Sequence, residues 1–443
     1  MPRVRRVPSL PRLPLVPDPL RRIDVPRDLE SVTRFGEEVD PSYGGMTEAG
    51  VERIWKAVES LYRSGAHPAI QLCLRRDGEV LIDRSIGHSR GNGPGESGEG
   101  AEIATPATPF VIFSAAKAIT ATVIHLLDQQ GKLHIADRVA EYIPEYGTHG
   151  KDAITIEHVL SHRAGVPNLP GAVLDLDNVG NEQLILDVLC DAKPLSRPGK
   201  LLSYHAISGG FILGEVVRRV MGEDIRAVLA EEILDPLGFR WGNYGVAPED
   251  VGEVGLSYAT GAPLVPPAST LLTRALGVSV EEVVRVSNDP RFLTAIVPAG
   301  NVVTTGNELS RFFELLRAGG ELDGTRILEP RTIRRAITEQ SFREFDFTLG
   351  APLRHGNGFI LGAQALSLWG PDTELAFGHL GFTNVLGWAD PERAVSAALM
   401  TSGKPVLYPE LARVWGITRR IGIEAPKVAR SELAFDTPTA AST

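Results

Sequence analysis

Apolar positions recur along this chain in helical and in strand periods, in separate blocks. Over residues 46–64, Val51, Ile54, Trp55, Val58 and Leu61 fall on one side at helical spacing and predict an amphipathic helix. Residues 69–86 read as two strands joined at Asp77-Gly78, a dipeptide that favours a two-residue hairpin turn. The stretch 115–127 is apolar on every side, as a helix buried all round would be. From residue 117 to about 298 the pattern is mostly helical, with helices predicted over 156–162, 182–190, 209–220 and 224–234. After Thr305 a helix runs to Ala318, and strand patterns follow around 358–368, 375–379, 384–389 and 394–401.

Strands at both ends with helices between predict an α+β fold. One antiparallel sheet is built from the N- and C-terminal segments and flanked by helices, with a large α-helical insertion. The expected division is a Pro/Arg-rich arm over 1–45, a sheet domain over 46–112 and 299–425, a mainly helical domain over 113–298 and a tail over 426–443. A site would lie in the cleft between sheet and insertion. Segment 255–298, rich in Pro, Leu and Val without a clear period, is a candidate cap or substrate wall. Its apolar residues (Pro263, Leu264, Val265, Leu271, Leu272, Phe292, Leu293) are assigned to loop packing against the insertion.

Composition narrows the function classes. A formal net charge of -10 over 443 residues argues against nucleic acid, which needs a basic surface. Cys73 and Cys190 are too few for a disulfide framework and read as small buried apolar residues. Arg5-Arg6 begins like a twin-arginine signal, but Pro8, Pro11, Pro14, Pro17 and Pro19 interrupt the apolar stretch that should follow. No signal peptide and no membrane-spanning run is read, so the expectation is a cytoplasmic protein. The Gly-rich stretch 91–100 is a flexible loop and not a phosphate loop, since no Gly-Lys-Ser/Thr ends it.

The chemistry is carried by Ser114 and Lys117 in Phe113-Ser114-Ala115-Ala116-Lys117. Residues three apart share a helix face, so the amine can reach the hydroxyl. A lysine within a helix buried all round needs a partner or a lowered pKa, and a lowered pKa is what makes it a base. Ser114 would also sit near the helix N-terminus, where free N–H groups favour developing negative charge. The competing reading of these two residues alone is a structural buried ion pair.

Further stretches accompany this pair: Tyr204 in Leu202-Ser203-Tyr204-His205-Ala206, His379 and Gly381 in Phe377-Gly378-His379-Leu380-Gly381-Phe382, Leu160-Ser161-His162-Arg163-Ala164-Gly165, and Pro298-Ala299-Gly300-Asn301. In this order they resemble the serine β-lactamase and penicillin-binding-protein superfamily over roughly residues 69–401, closest to its class C-like esterase branch, the family VIII carboxylesterases. The resemblance implies that Ser114 is the acylated nucleophile, Lys117 its base and Tyr204 the proton shuttle. It also implies that His379 and Gly381 form the third motif, and that the backbone N–H groups of Ser114 and Phe382 make the oxyanion hole.

Two departures redirect the substrate. Ala206 stands where the family usually has asparagine or serine, which removes an amide that would orient the lysine and a substrate amide. His379 stands where a permanent lysine cation would hold a substrate carboxylate. An uncharged small-molecule ester therefore fits better than a β-lactam. The alternatives are a β-lactamase or D,D-peptidase, an acyltransferase, or a binding protein that kept the cleft without turnover. No cofactor or metal is expected: His158 and His162 are four apart, but no Glu follows His158 and no third ligand is evident. Ala206-Ile207-Ser208-Gly209-Gly210 imitates the α/β-hydrolase elbow without the strand that should lead into it.

Overall fold

The computed structural model describes residues 18–429 apart from 170–175, 264, 267–268, 271–272, 274–277, 342–343 and 407–410. Arg5-Arg6, four of the five flanking prolines, Leu264, Leu271 and Leu272 lie outside the described residues. Asp77 and Gly78 adopt φ of 51° and 85°, the left-handed pair that lets a tight turn follow the strand twist. They join β2 (Ala69–Arg76) to β3 (Glu79–Arg90). With β1 (Thr33–Phe35), β4 (Glu102–Ile103), β5 (Ile360–Leu361), β6 (Phe377–Gly381), β7 (Val385–Asp390) and β8 (Val395–Thr401), these form an antiparallel sheet in the order β1-β3-β2-β8-β7-β6-β5, with β4 hung on β3. Pairing of β2 with β8, from Ile70 opposite Thr401 to Arg76 opposite Val395, unites the two ends of the chain.

Alternation along the strands sends side chains to two cores. Ile70, Leu72, Leu74, Val395, Ala397 and Leu399 pack against α1 (Glu48–Tyr62) on one face. Ala398 and Met400 face the other, where α2 (Ala116–Gln129) and the insertion lie. α1 starts where the Thr47 hydroxyl accepts from the Gly50 N–H at 3.1 Å. Every residue of α2 from Ala116 to Asp128 is buried. α3 (Ser208–Met221) and α4 (Gly306–Arg317) pack on this second side, and α5 (Leu411–Glu424) lies against α1. Among the described residues no helix is long and apolar enough to cross a membrane.

The structure departs from the periodic reading in four places. Residues 33–35, expected in the arm, form the edge strand β1 on β3. Arg84 of β3 anchors this stretch, with carboxylates of Glu38 and Glu52 each at 2.7 Å and its guanidinium 4.8 Å from the Phe35 ring centroid. The strand expected over 358–368 shrinks to β5, because beyond Leu361 the backbone bonds into a loop closed on itself, with Asp372 N–H donating to Gln364 O at 2.7 Å. The helix over 224–234 keeps α geometry only at Ile225–Leu229 and widens to a π turn at Ala230–Leu234 before Pro236. The helix expected over 156–162 stops at Leu160, and His162 takes φ of 59°.

Candidate active site

Ser114 lies in a 3-10 turn, Phe113–Ala115, that feeds directly into α2, and Lys117 sits one turn on. The Lys117 Nζ is 3.2 Å from Ser114 Oγ, 2.7 Å from Ala206 O and 3.1 Å from Ala299 O. Burial, with no carboxylate beside it among the described residues, lowers its pKa from 10.5 to about 7. A neutral amine has two N–H bonds and one lone pair. The two carbonyls can only accept, so they take both hydrogens and turn the lone pair toward the serine hydroxyl. The alanine at 206, expected to leave the lysine without an orienting partner, thus serves through its backbone. Asn301 aims the second carbonyl: its buried amide accepts from Val297 N–H at 2.9 Å and donates to Phe292 O and Ala295 O, fixing the turn that carries Ala299.

Tyr204 is buried, and its side chain stands beside Ser114 in the same pocket. Burial pushes its pKa up, and the Asp346 carboxylate adds to the shift, so the phenol stays protonated through the neutral range. Lys117 Nζ lies 4.9 Å from the tyrosine ring centroid, which brings all three groups together. The ring packs on His162 at 4.6 Å between centroids, and His162 in turn contacts His205 and His355. Burial first, and the mutual repulsion of positive imidazolium forms and Lys117 second, hold His162 well below its ordinary pKa. His162 Nδ1 accepts from the backbone N–H of His205 at 3.2 Å, which its left-handed backbone makes geometrically accessible. His158 instead closes a capping box with Thr155.

At the third motif, His379 is buried and its Nδ1 donates to Leu380 O at 2.9 Å. Desolvation, with Lys117 adding repulsion, brings its pKa down to about 3, so this position carries no cation at neutral pH. Gly381 ends β6 against the entry to the Phe113–Ala115 turn. A Cβ there would lie 2.1 Å from Ile112 O, so only glycine permits the approach. Phe113, just before Ser114, has φ of 49°, a left-handed backbone that is strained for a side-chain-bearing residue. Its ring is held between Phe382, 5.6 Å away, and the buried amine of Lys404, whose Nζ is 4.8 Å from the ring centroid.

Ser114 is partly exposed at the floor of a pocket of about 810 Å³, counting volume open to solvent. Among the described residues, apart from Ser114 and Tyr204, every lining residue is apolar or glycine, including Phe113, Phe211, Val283, Phe292 and Phe382. The described part of 255–298 therefore does furnish a wall, and Phe292, assigned from sequence to loop packing, lines the pocket. Leu293 from the same turn is buried with Trp241 and Val246. Cys73 is buried and Cys190 half-buried, and both are free thiols.

Sequence reasoning missed the carbonyls of Ala206 and Ala299, the ring of His162 against Tyr204, Asp346 and Lys404. Backbone acceptors carry no sequence signal. For His162 the signal is its Ser161-His162-Arg163 stretch, which belongs to the family resemblance, whereas its spacing from His158 points only to a metal ligand.

Similarity to known proteins agrees with this architecture. The beta-lactamase family model matches residues 53–416, and the chain belongs to that family. It is 31% identical over 306 residues to the esterase/beta-lactamase LipL of Mycobacterium tuberculosis, covering 66% of this chain and 68% of that protein. Among solved structures it is similar to a family VIII carboxylesterase, with a TM-score of 0.72 at 24% identity over 85% of this chain and 98% of that one. A penicillin-binding protein homologue from Caulobacter crescentus gives a TM-score of 0.70 at 25% identity over 84% of this chain and 97% of that one.

Proposed function

We propose that this chain is a serine hydrolase that cleaves uncharged carboxylic esters through an acyl-enzyme on Ser114. The observation that carries the reading is the Lys117 amine, buried with no counter-charge among the described residues and 3.2 Å from Ser114 Oγ, with the Ala206 and Ala299 carbonyls at 2.7 and 3.1 Å to take its two hydrogens. In the first step Lys117 takes the Ser114 proton as Oγ bonds to the ester carbonyl carbon. The oxyanion that forms is met by the N–H groups of Ser114 and Phe382, which act on charge present only in the transition state. Tyr204 then gives its proton to the departing alcohol as the C–O bond breaks, and regains one from the Lys117 ammonium. Water repeats the sequence on the acyl carbon and releases the acid.

The neutral His379 and the apolar lining favour an uncharged substrate over a carboxylate-bearing β-lactam. The relative named as an esterase/beta-lactamase and the carboxylesterase fold support the same reaction class. The test uses purified full-length protein with short p-nitrophenyl esters, a chromogenic cephalosporin and a fluorophosphonate probe. Ester turnover without cephalosporin cleavage, with probe attached at Ser114, supports the esterase. A protein that neither turns over ester nor takes the probe is a binding module.

A further inference from the structure

The hairpin formed by Phe345–Asp346 and Ala351–Pro352 has its polarity reversed. A strand with one buried face points apolar residues inward and polar ones outward. Here Asp346 is fully buried, while Phe345, Phe347 and Leu349 are 49%, 63% and 44% exposed. The two phenylalanine rings meet edge to face at 5.7 Å, so each covers the other without reaching the core. The inward carboxylate explains the geometry: Asp346 Oδ1 accepts from the backbone N–H groups of Tyr204, Thr348 and Leu349 at 3.1, 2.8 and 3.0 Å. The hairpin is thereby fastened to the segment that presents Tyr204. Phe347 N–H also donates to Leu202 O at 3.1 Å, and the hydroxyls of Ser203 and Thr348 are 2.8 Å apart.

The segment leading to Leu202 continues this surface. Leu195 and Leu201 are 73% and 40% exposed. Between and beside them stand exposed Lys193, Arg197 and Lys200, none of them ion-paired with a described residue. The nearby Glu344 is already engaged by Arg163. A protein of net charge -10 thus displays leucines and phenylalanines beside three unneutralised cations, on loops tied directly to its catalytic tyrosine.

We propose that this surface docks the protein on an anionic lipid–water interface. Apolar tips that enter the acyl boundary, with cations at headgroup level, are the composition such an interface selects. A second copy of the chain fits less well, since a stable dimer covers about 800 Å² on each partner and a few projecting side chains fall short of that. Docking here brings Tyr204 and its pocket close to an ester held in the lipid phase. That consequence rests on the esterase reading, whereas the docking itself does not.

The experiment is co-sedimentation of the full chain with vesicles of phosphatidylcholine alone or mixed with phosphatidylglycerol, alongside hydrolysis of water-soluble p-nitrophenyl acetate. Binding is expected to the anionic vesicles and to weaken with added salt. The combined Phe345→Ser, Phe347→Ser and Leu349→Ser variant should partition at least roughly tenfold less while hydrolysing the soluble ester normally. Replacing Lys193, Arg197 and Lys200 by glutamine should cost about fivefold per cation, and leaves the hairpin untouched should the first variant fail to fold. Absence of wild-type binding, or equal binding by the charge variant, overturns the proposal. So does self-association of the wild type that the serine variant abolishes. A wild type that hydrolyses the soluble ester but does not bind the anionic vesicles sinks docking alone, whereas an inert wild type that still binds vesicles sinks the esterase reading alone.

Discussion

Replacing Lys117 by methionine tests the central claim through stability as well as activity. The unfolded chain holds a lysine proton up to its ordinary pKa of 10.5, whereas in the folded protein burial brings that value to about 7. Between these limits the unfolded state binds more protons, so raising the pH favours the fold. The destabilisation is therefore complete below about pH 7 and is relieved at about 1.4 kcal/mol per pH unit above it. From pH 7 to pH 9 the wild type should gain about 2 kcal/mol on Lys117→Met, since the half-protonated start near pH 7 flattens the slope. Methionine also orphans the carbonyls of Ala206 and Ala299, at about 1–3 kcal/mol each, but that cost is the same at every pH. Lys404, also brought to about 7 by burial, is present in both proteins and cancels. Urea unfolding of the two proteins at pH 7, 8 and 9 gives the slope directly. A stability gap that does not change with pH would refute the neutral-amine argument. So would a kcat/KM profile that fails to climb toward a plateau just above pH 7.

Other outcomes follow from single contacts. Ser114→Ala should abolish ester turnover, and Tyr204→Phe, which keeps the ring on His162, should lower kcat by roughly 10²–10⁴-fold; a near-normal rate in either would remove the assigned role. His379→Lys should raise kcat/KM for carboxylate-bearing esters relative to neutral ones, and an unchanged ratio on a matched pair would reject the link between this position and substrate charge. Gly381→Ala places a Cβ 2.1 Å from Ile112 O and should cost stability and kcat together. Its thermal midpoint should fall by several degrees, and a wild-type midpoint would mean the strand end can yield.

What the sequence determined is what short stretches dictate for themselves. The Asp77-Gly78 hairpin, the amphipathic α1 and the all-round apolar α2 each follow from a local period or turn preference, and the elements stand close to where that period put them. Ser114 and Lys117 were legible for the same reason, since one helical turn fixes their spacing whatever else the chain does. Tertiary structure alone decided which backbone carbonyls receive the lysine. Ala206 and Ala299 lie 89 and 182 residues from it, and an alanine carbonyl is chemically no different from any other until the fold aims it. It likewise decided that His162 leaves its helix to face Tyr204, that Asp346 turns inward and exposes its phenylalanine neighbours, and that residues 33–35 close the sheet. Each is a contact between distant segments whose energy depends on burial and direction, and a pattern read along the chain contains neither.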